Sequence, residues 1–196
     1  LGEYPFSKRY GWIQDRYGFS WQLILTNPEG DVRPRIIPSL LYVTEGGKVA
    51  EEATNAYLSI FNNAKRGAVA RYPAGSEPNT EGALMFTDFT LEQQWFTAMD
   101  GPSSIHKFGF NEAVSLLVNC DTQEEIDYYW EKLSAVPEAE QCGWLKDVYG
   151  VTWQISPSRM NEMFASGDAA AIQRVTEAFL KMKKFDLAEL EKAYNS

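Results

Sequence analysis

Apolar positions along the chain recur with two periods. Val49, Ala53, Ala56, Tyr57, Ile60 and Phe61 share one face at helical spacing, which predicts a helix over 47–61. Ile126, Tyr129, Trp130 and Leu133 predict a second helix. Asp121-Thr122-Gln123-Glu124 opens it, with acids in the first turn. Short apolar or alternating runs at 36–43, 65–72, 83–90, 94–99 and 113–119 read as strands between turn residues. Residues 36–99 thus read β-α-β-β-β and 113–156 read β-α-(β)-β-β, the bracketed strand falling on polar 137–140. Residues 101–109 are a Pro/Ser/Gly loop. In the tail, 160–164 reads as a short turn. Asp168 caps a helix carrying Ala171, Ile172, Val175, Phe179 and Met182, and Asp186 caps a last one carrying Leu187, Leu190 and Tyr194.

One segment occurs twice. Gly11-Trp12-Ile13-Gln14-Asp15-Arg16-Tyr17-Gly18-Phe19-Ser20-Trp21-Gln22 matches 143–154, beginning Gly143-Trp144-Leu145-Lys146-Asp147 and ending Trp153-Gln154. Seven of twelve positions are identical at an offset of 132 residues. Each copy predicts a hairpin, with Gly18 and Gly150 supplying the positive φ of its turn. Residues 26–35 form a linker by composition.

Charge and composition narrow the function classes. The net charge is −9, from 27 acids against 18 bases. With no local basic stripe, nucleic acid binding is not expected. No apolar run reaches the ~18–20 residues of a membrane helix. Cys120 and Cys142 lie among apolar neighbours, which suits reduced, buried thiols in a cytoplasmic protein, though a disulfide stays open. Aromatics make up 14% of residues, enough for a large core or an aromatic-lined cavity.

The strings Ala113-Val114-Ser115-Leu116-Leu117-Val118-Asn119-Cys120-Asp121 and Gln141-Cys142-Gly143-Trp144-Leu145-Lys146-Asp147, with the paired module order, carry a resemblance. The chain resembles the PhnB-like branch of the vicinal oxygen chelate (glyoxalase/bleomycin-resistance) superfamily, whose members often bear the label 3-demethylubiquinone-9 3-methyltransferase. The likeness runs over about 34–190. It implies an α+β fold with paired β-α-β-β-β modules forming a cupped mixed sheet, helices outside and a helical C-terminal extension. The expected organisation is a closing hairpin of a preceding domain at 1–25, a linker at 26–35, one complete domain at 36–156 and the extension at 157–196. A homodimer is expected, and the 1–25 hairpin should dock on its own domain or exchange between chains.

The resemblance also implies a divalent metal held by His and Glu inside the cup. The matching positions are Pro38 or Ser39, Ala113 or Ser115, and Gln154, none a strong ligand. The single histidine, His106, lies in the loop, where packing suits it better than ligation. No cofactor is therefore expected. The methyltransferase label finds no support in the residues, because no G-x-G-x-x-G motif is present. Gly46-Gly47 ends a strand and opens a helix. Asp15 and Asp147 recur in the hairpin turns, which points to bonds with nearby amides. The expected function is binding of a small aromatic or apolar molecule in the cup, with Gln154, Asp100, Trp144, Phe96 and Tyr42 as contacts. Two alternatives are a lyase or dioxygenase-type enzyme with a metal on atypical groups such as Gln154 and Asp100, and a non-catalytic dimeric scaffold.

Overall fold

The first residues form β1 (Gly2–Tyr4), β2 (Ser7–Gln14) and β3 (Ser20–Ile24), an antiparallel sheet of order β1-β2-β3 in the computed structural model, which describes residues 1–196. β1 extends the hairpin beyond what the pattern predicts. Tyr4, Phe6 and Tyr10 hold it there, with ring centroids 5.1–5.5 Å apart. The chain divides after Ile36 into two units.

The second unit opens with β4 (Ser39–Thr44), α1 (Val49–Ile60), β5 (Lys65–Arg71), β6 (Leu84–Leu91) and β7 (Gln94–Pro102). Their sheet has the order β4-β7-β6-β5, with β4 and β7 parallel and the other pairs antiparallel. β8 (Leu116–Cys120), α2 (Gln123–Leu133), β9 (Trp144–Lys146) and β10 (Thr152–Pro157) follow, in a three-stranded sheet of order β8-β10-β9. The fold class is α+β, and α1 and α2 lie where their spacing puts them. The two modules keep separate ladders, so the sheet is not one continuous array.

The bracketed strand is absent. Pro137 opens a 3-10 turn over Pro137–Ala139, because proline has no N–H to give a ladder and suits the first position of a helical turn. α3 (Ser158–Ala165) also replaces the expected short turn, since Met160 and Met163 gain a buried face. α4 (Ala169–Phe179) and α5 (Leu187–Asn195) complete the extension, capped as expected by Asp168 and Asp186. Met160, Met163, Val175, Phe185 and Leu190 form its own apolar cluster. Cys120 is buried and Cys142 half-buried, both as free thiols. No helix is long and apolar enough to cross a membrane.

The main core joins the modules. Tyr42, Ala53, Tyr57, Phe61, Phe89 and Phe96 pack in one cluster with Tyr129, Leu133, Leu145, Trp153 and Ile155. Phe61 stacks on Trp153 at 5.5 Å and on Tyr129 at 5.1 Å. Strand alternation then fixes the faces. Tyr42, Phe96, Ala98, Trp153 and Ile155 point to the helices. Ser39, Leu41, Trp95, Thr97 and Met99 point to the other side, as do Thr152 and Gln154.

Candidate functional site

The five expected contact residues divide between two faces. Gln154 and Trp144 are register partners across β10 and β9 and share the open face. Tyr42, Phe96 and Asp100 lie on the helix side, inside the core. The Tyr42 hydroxyl donates to that of Tyr57 at 3.3 Å, and Phe96 stacks on Phe89 at 5.5 Å. These five side chains therefore line no common cavity.

Asp100 has a definite task. Lys48 offers no side-chain cap to α1. Asp100 Oδ1 instead accepts from the amides of Val49 and Ala50, and Oδ2 from that of Leu84, each at 2.9 Å. A carboxylate at a helix N-terminus satisfies orphan amides and complements the helix dipole. Its oxygens are fully engaged on the face opposite Gln154, so the two cannot ligate one ion. Burial pushes the Asp100 carboxyl above its usual range, against the pull of those three amides. The folded protein thus holds this proton to higher pH than the unfolded chain does. Its contribution to stability is full below the ordinary carboxylate value of about 3.9 and is lost as pH rises through the raised value. Urea midpoints followed upward from pH 4 should show the wild type losing stability relative to Asp100→Asn, which cannot ionise. Parallel profiles would contradict this.

Asp147 is, with Asp88 and Asp100, one of three buried carboxylates. Its Oδ1 accepts from the amides of Tyr149 and Val151, both at 2.9 Å. Its Oδ2 accepts from the Tyr57 hydroxyl at 2.7 Å and the Trp153 indole at 2.8 Å. Burial raises its carboxyl and, more strongly, the phenol of Tyr57. Asp15 repeats the pattern, accepting from Tyr17 and Phe19 amides at 2.9 and 3.0 Å and from the Trp21 indole at 3.0 Å. The expected amide bonds are present in both copies, and the indole bond adds to them. Beside Asp147, a cleft of about 130 Å³ lies between α1, the end of α2 and the turn. Ligand pockets usually hold ~300–1,000 Å³, so this cleft is too small for more than a few atoms.

The open face of the β8-β10-β9 sheet carries the remaining chemistry. Gln154 Nε2 donates to Ser115 Oγ at 2.6 Å. Trp144 stands opposite Gln154, and Lys146 opposite Thr152. Lys146 is paired with Glu112 at 2.5 Å. Thr152 is buried, and its hydroxyl finds no hydrogen-bond partner. Nothing in the repeat singles out Thr152, because Ser20 and Thr152 read there as a conservative exchange. His106 packs over Gly101, where an added Cβ would meet its ring at 2.7 Å, and lies edge-on to Phe108 at 5.6 Å. Partial burial lowers its pKa. No group of three or more His, Cys, Asp or Glu could hold a metal ion, so the donor set does not fit the triad that the superfamily implies.

Residues 34–156 match the family model described as 3-demethylubiquinone-9 3-methyltransferase. Among solved structures, the PhnB protein from Bacillus cereus is 36% identical with a TM-score of 0.53, over 64% of this chain and 100% of that one. Protein PA1353 from Pseudomonas aeruginosa is 18% identical with a TM-score of 0.46, over 65% and 98%. The fosfomycin resistance protein FosX from Mesorhizobium loti is 13% identical with a TM-score of 0.43, over 67% and 98%. The comparison with curated proteins gives no match.

Proposed function

The chain belongs to the 3-demethylubiquinone-9 3-methyltransferase family, the PhnB-like branch of the vicinal oxygen chelate superfamily, and from that premise we propose that it binds a small, uncharged, partly aromatic molecule on the open face of the β8-β10-β9 sheet, without a resident divalent metal. One observation carries the reading. The Gln154–Ser115 pair and the Trp144 ring share one accessible face. The Gln154 carboxamide keeps a carbonyl oxygen to accept from a ligand N–H or O–H. The indole of Trp144 offers a flat surface for a ring. Lys146 is neutralised by Glu112, which removes the charge that would favour an anion.

The test is a ligand-observed NMR screen of small aromatic carbonyl and hydroxyl compounds. Binders to the wild type should weaken about tenfold in Gln154→Ala and in Trp144→Ala, a change of about 1.4 kcal/mol each. Binders unaffected by both substitutions would overturn the site. Native mass spectrometry showing near-stoichiometric zinc, nickel, iron or manganese would overturn the metal-free reading.

A further inference from the structure

The two copies of the repeated hairpin fold alike but differ in what covers them. Ile13 pairs with Trp21 and Trp12 with Gln22, as Leu145 pairs with Trp153 and Trp144 with Gln154. The turns match as well. Asp15 N donates to Phe19 O at 2.9 Å and Asp147 N to Val151 O at 3.0 Å, while Gly18 and Gly150 both sit at φ 85°. The aspartate–indole bond recurs in each. Yet Leu145, Trp153 and Ile155 are 0, 2 and 0% exposed, whereas their counterparts Ile13, Trp21 and Leu23 are 52, 37 and 43% exposed.

The second copy shows what the first lacks. β8 adds parallel to the outer edge of β10, with Trp153 level with Leu116 and Ile155 with Val118. α2 follows directly and lays Ile126, Tyr129 and Leu133 into the same cluster as Leu145, Trp153 and Ile155. In the first copy, β3 is an end strand of its sheet. An end strand presents unpaired backbone groups, a template for another strand. Its apolar face beside that edge matches in register the face that β8 and α2, together with Tyr57 and Phe61 of α1, cover in the second copy.

We propose that the Ile13–Trp21–Leu23 face and the outer edge of β3 dock a separate strand–helix unit built like Leu116–Leu133. The incoming strand pairs parallel with β3, and the helix that follows covers Ile13, Trp21 and Leu23. Charge agrees with this occupant. Residues 1–25 carry Lys8, Arg9 and Arg16 against Glu3 and Asp15, a net +1 within a chain of −9. The resident cover is acidic, with Asp121, Glu124, Glu125, Asp127 and Glu131 against Lys132. A second complete copy of this chain is the weaker fit, because its own β8 and α2 are already engaged with β10.

The probe is a synthetic peptide with the sequence of residues 113–134, added to the isotope-labelled full chain and followed by amide NMR. Saturable shifts confined to residues 13–25, with slowed exchange of amides in β3, are the expected result. Leu23→Asp leaves the Asp15–Trp21 bond in place and should weaken the peptide at least tenfold. Absence of saturable shifts at millimolar peptide would overturn the proposal. Shifts centred on β10 would also overturn it, since the peptide would then be displacing the resident strand. Sedimentation equilibrium supplies a third outcome. A dimer that Leu23→Asp dissociates and the peptide does not compete away would overturn it in favour of a second copy.

Discussion

Replacing Asp147 by alanine should lower the unfolding free energy by about 3–5 kcal/mol, a large share of a typical domain's ~5–15 kcal/mol. The size follows from what the carboxylate holds. Two amides, one phenol and one indole converge on it, all inside the protein. Removing the acceptor strands these donors where water has little access, and each stranded buried donor costs roughly 1–3 kcal/mol, less than additively. Asp147→Asn keeps one acceptor oxygen and should recover part of the loss. Asp15 makes the same amide and indole bonds on an exposed hairpin. Solvent can replace those bonds, so Asp15→Ala should leave the main transition where it is. Urea unfolding of the three variants checks this, and an Asp147→Ala midpoint equal to the wild type's would contradict the assignment.

Gly143→Ala should cost ~3 kcal/mol or more, because two penalties coincide there. Cys142 and Gly143 form a two-residue turn between Gln141 and Trp144, with φ of 50° and 80°. Positive φ at both central positions is the geometry that joins twisted antiparallel strands. An added Cβ at Gly143 would also lie 2.5 Å from the Phe185 ring and 2.8 Å from the carbonyl oxygen of Ile155. Both neighbours are held. Ile155 N donates to Gly143 O at 2.8 Å, and the Cys142 and Gly143 amides donate to Met182 and Lys183 carbonyls at 2.9 and 2.7 Å. The extension is thereby fastened to the turn, and a methyl group must push it off. Gly150→Ala separates the two penalties. Gly150 has φ 85° but nothing within 4 Å of its added Cβ. That substitution should cost only the ~1–2 kcal/mol of left-handed backbone. Thermal unfolding of both variants decides it, and equal shifts would mean that the Phe185 contact yields freely.

Local structure is more legible in the amino-acid pattern than the faces are. Periodicity locates α1 and α2 because each has a full apolar stripe. The repeated Asp and Trp mark a turn device by their spacing alone. Tyr57, the fourth partner of Asp147, lies 90 residues away, and no local pattern links them. The site assignments divide for a related reason. Phe96 and Asp100 lie an even number of residues apart, so alternation puts them on one face. Which side that face takes depends on where α1 lands. Gln154 sits between Trp153 and Ile155 and is turned outward by the same alternation. The absent strand at 137–140 reflects Pro137, whose missing N–H outweighs the family pattern.

The shared core also bears on how the polypeptide is made. Tyr57 and Phe61 belong to the first module, yet their partners Asp147 and Trp153 close the second. During synthesis the first module emerges with these two rings incompletely covered. At ~5–20 residues per second, several seconds pass before β10 reaches them. Over that interval Tyr42 and then Tyr129 cover part of these rings, and the faces that meet Asp147 and Trp153 stay open. Those last faces close only with the late segment Asp147–Ile155, so a chain truncated ahead of it should be cleared by proteolysis rather than accumulate.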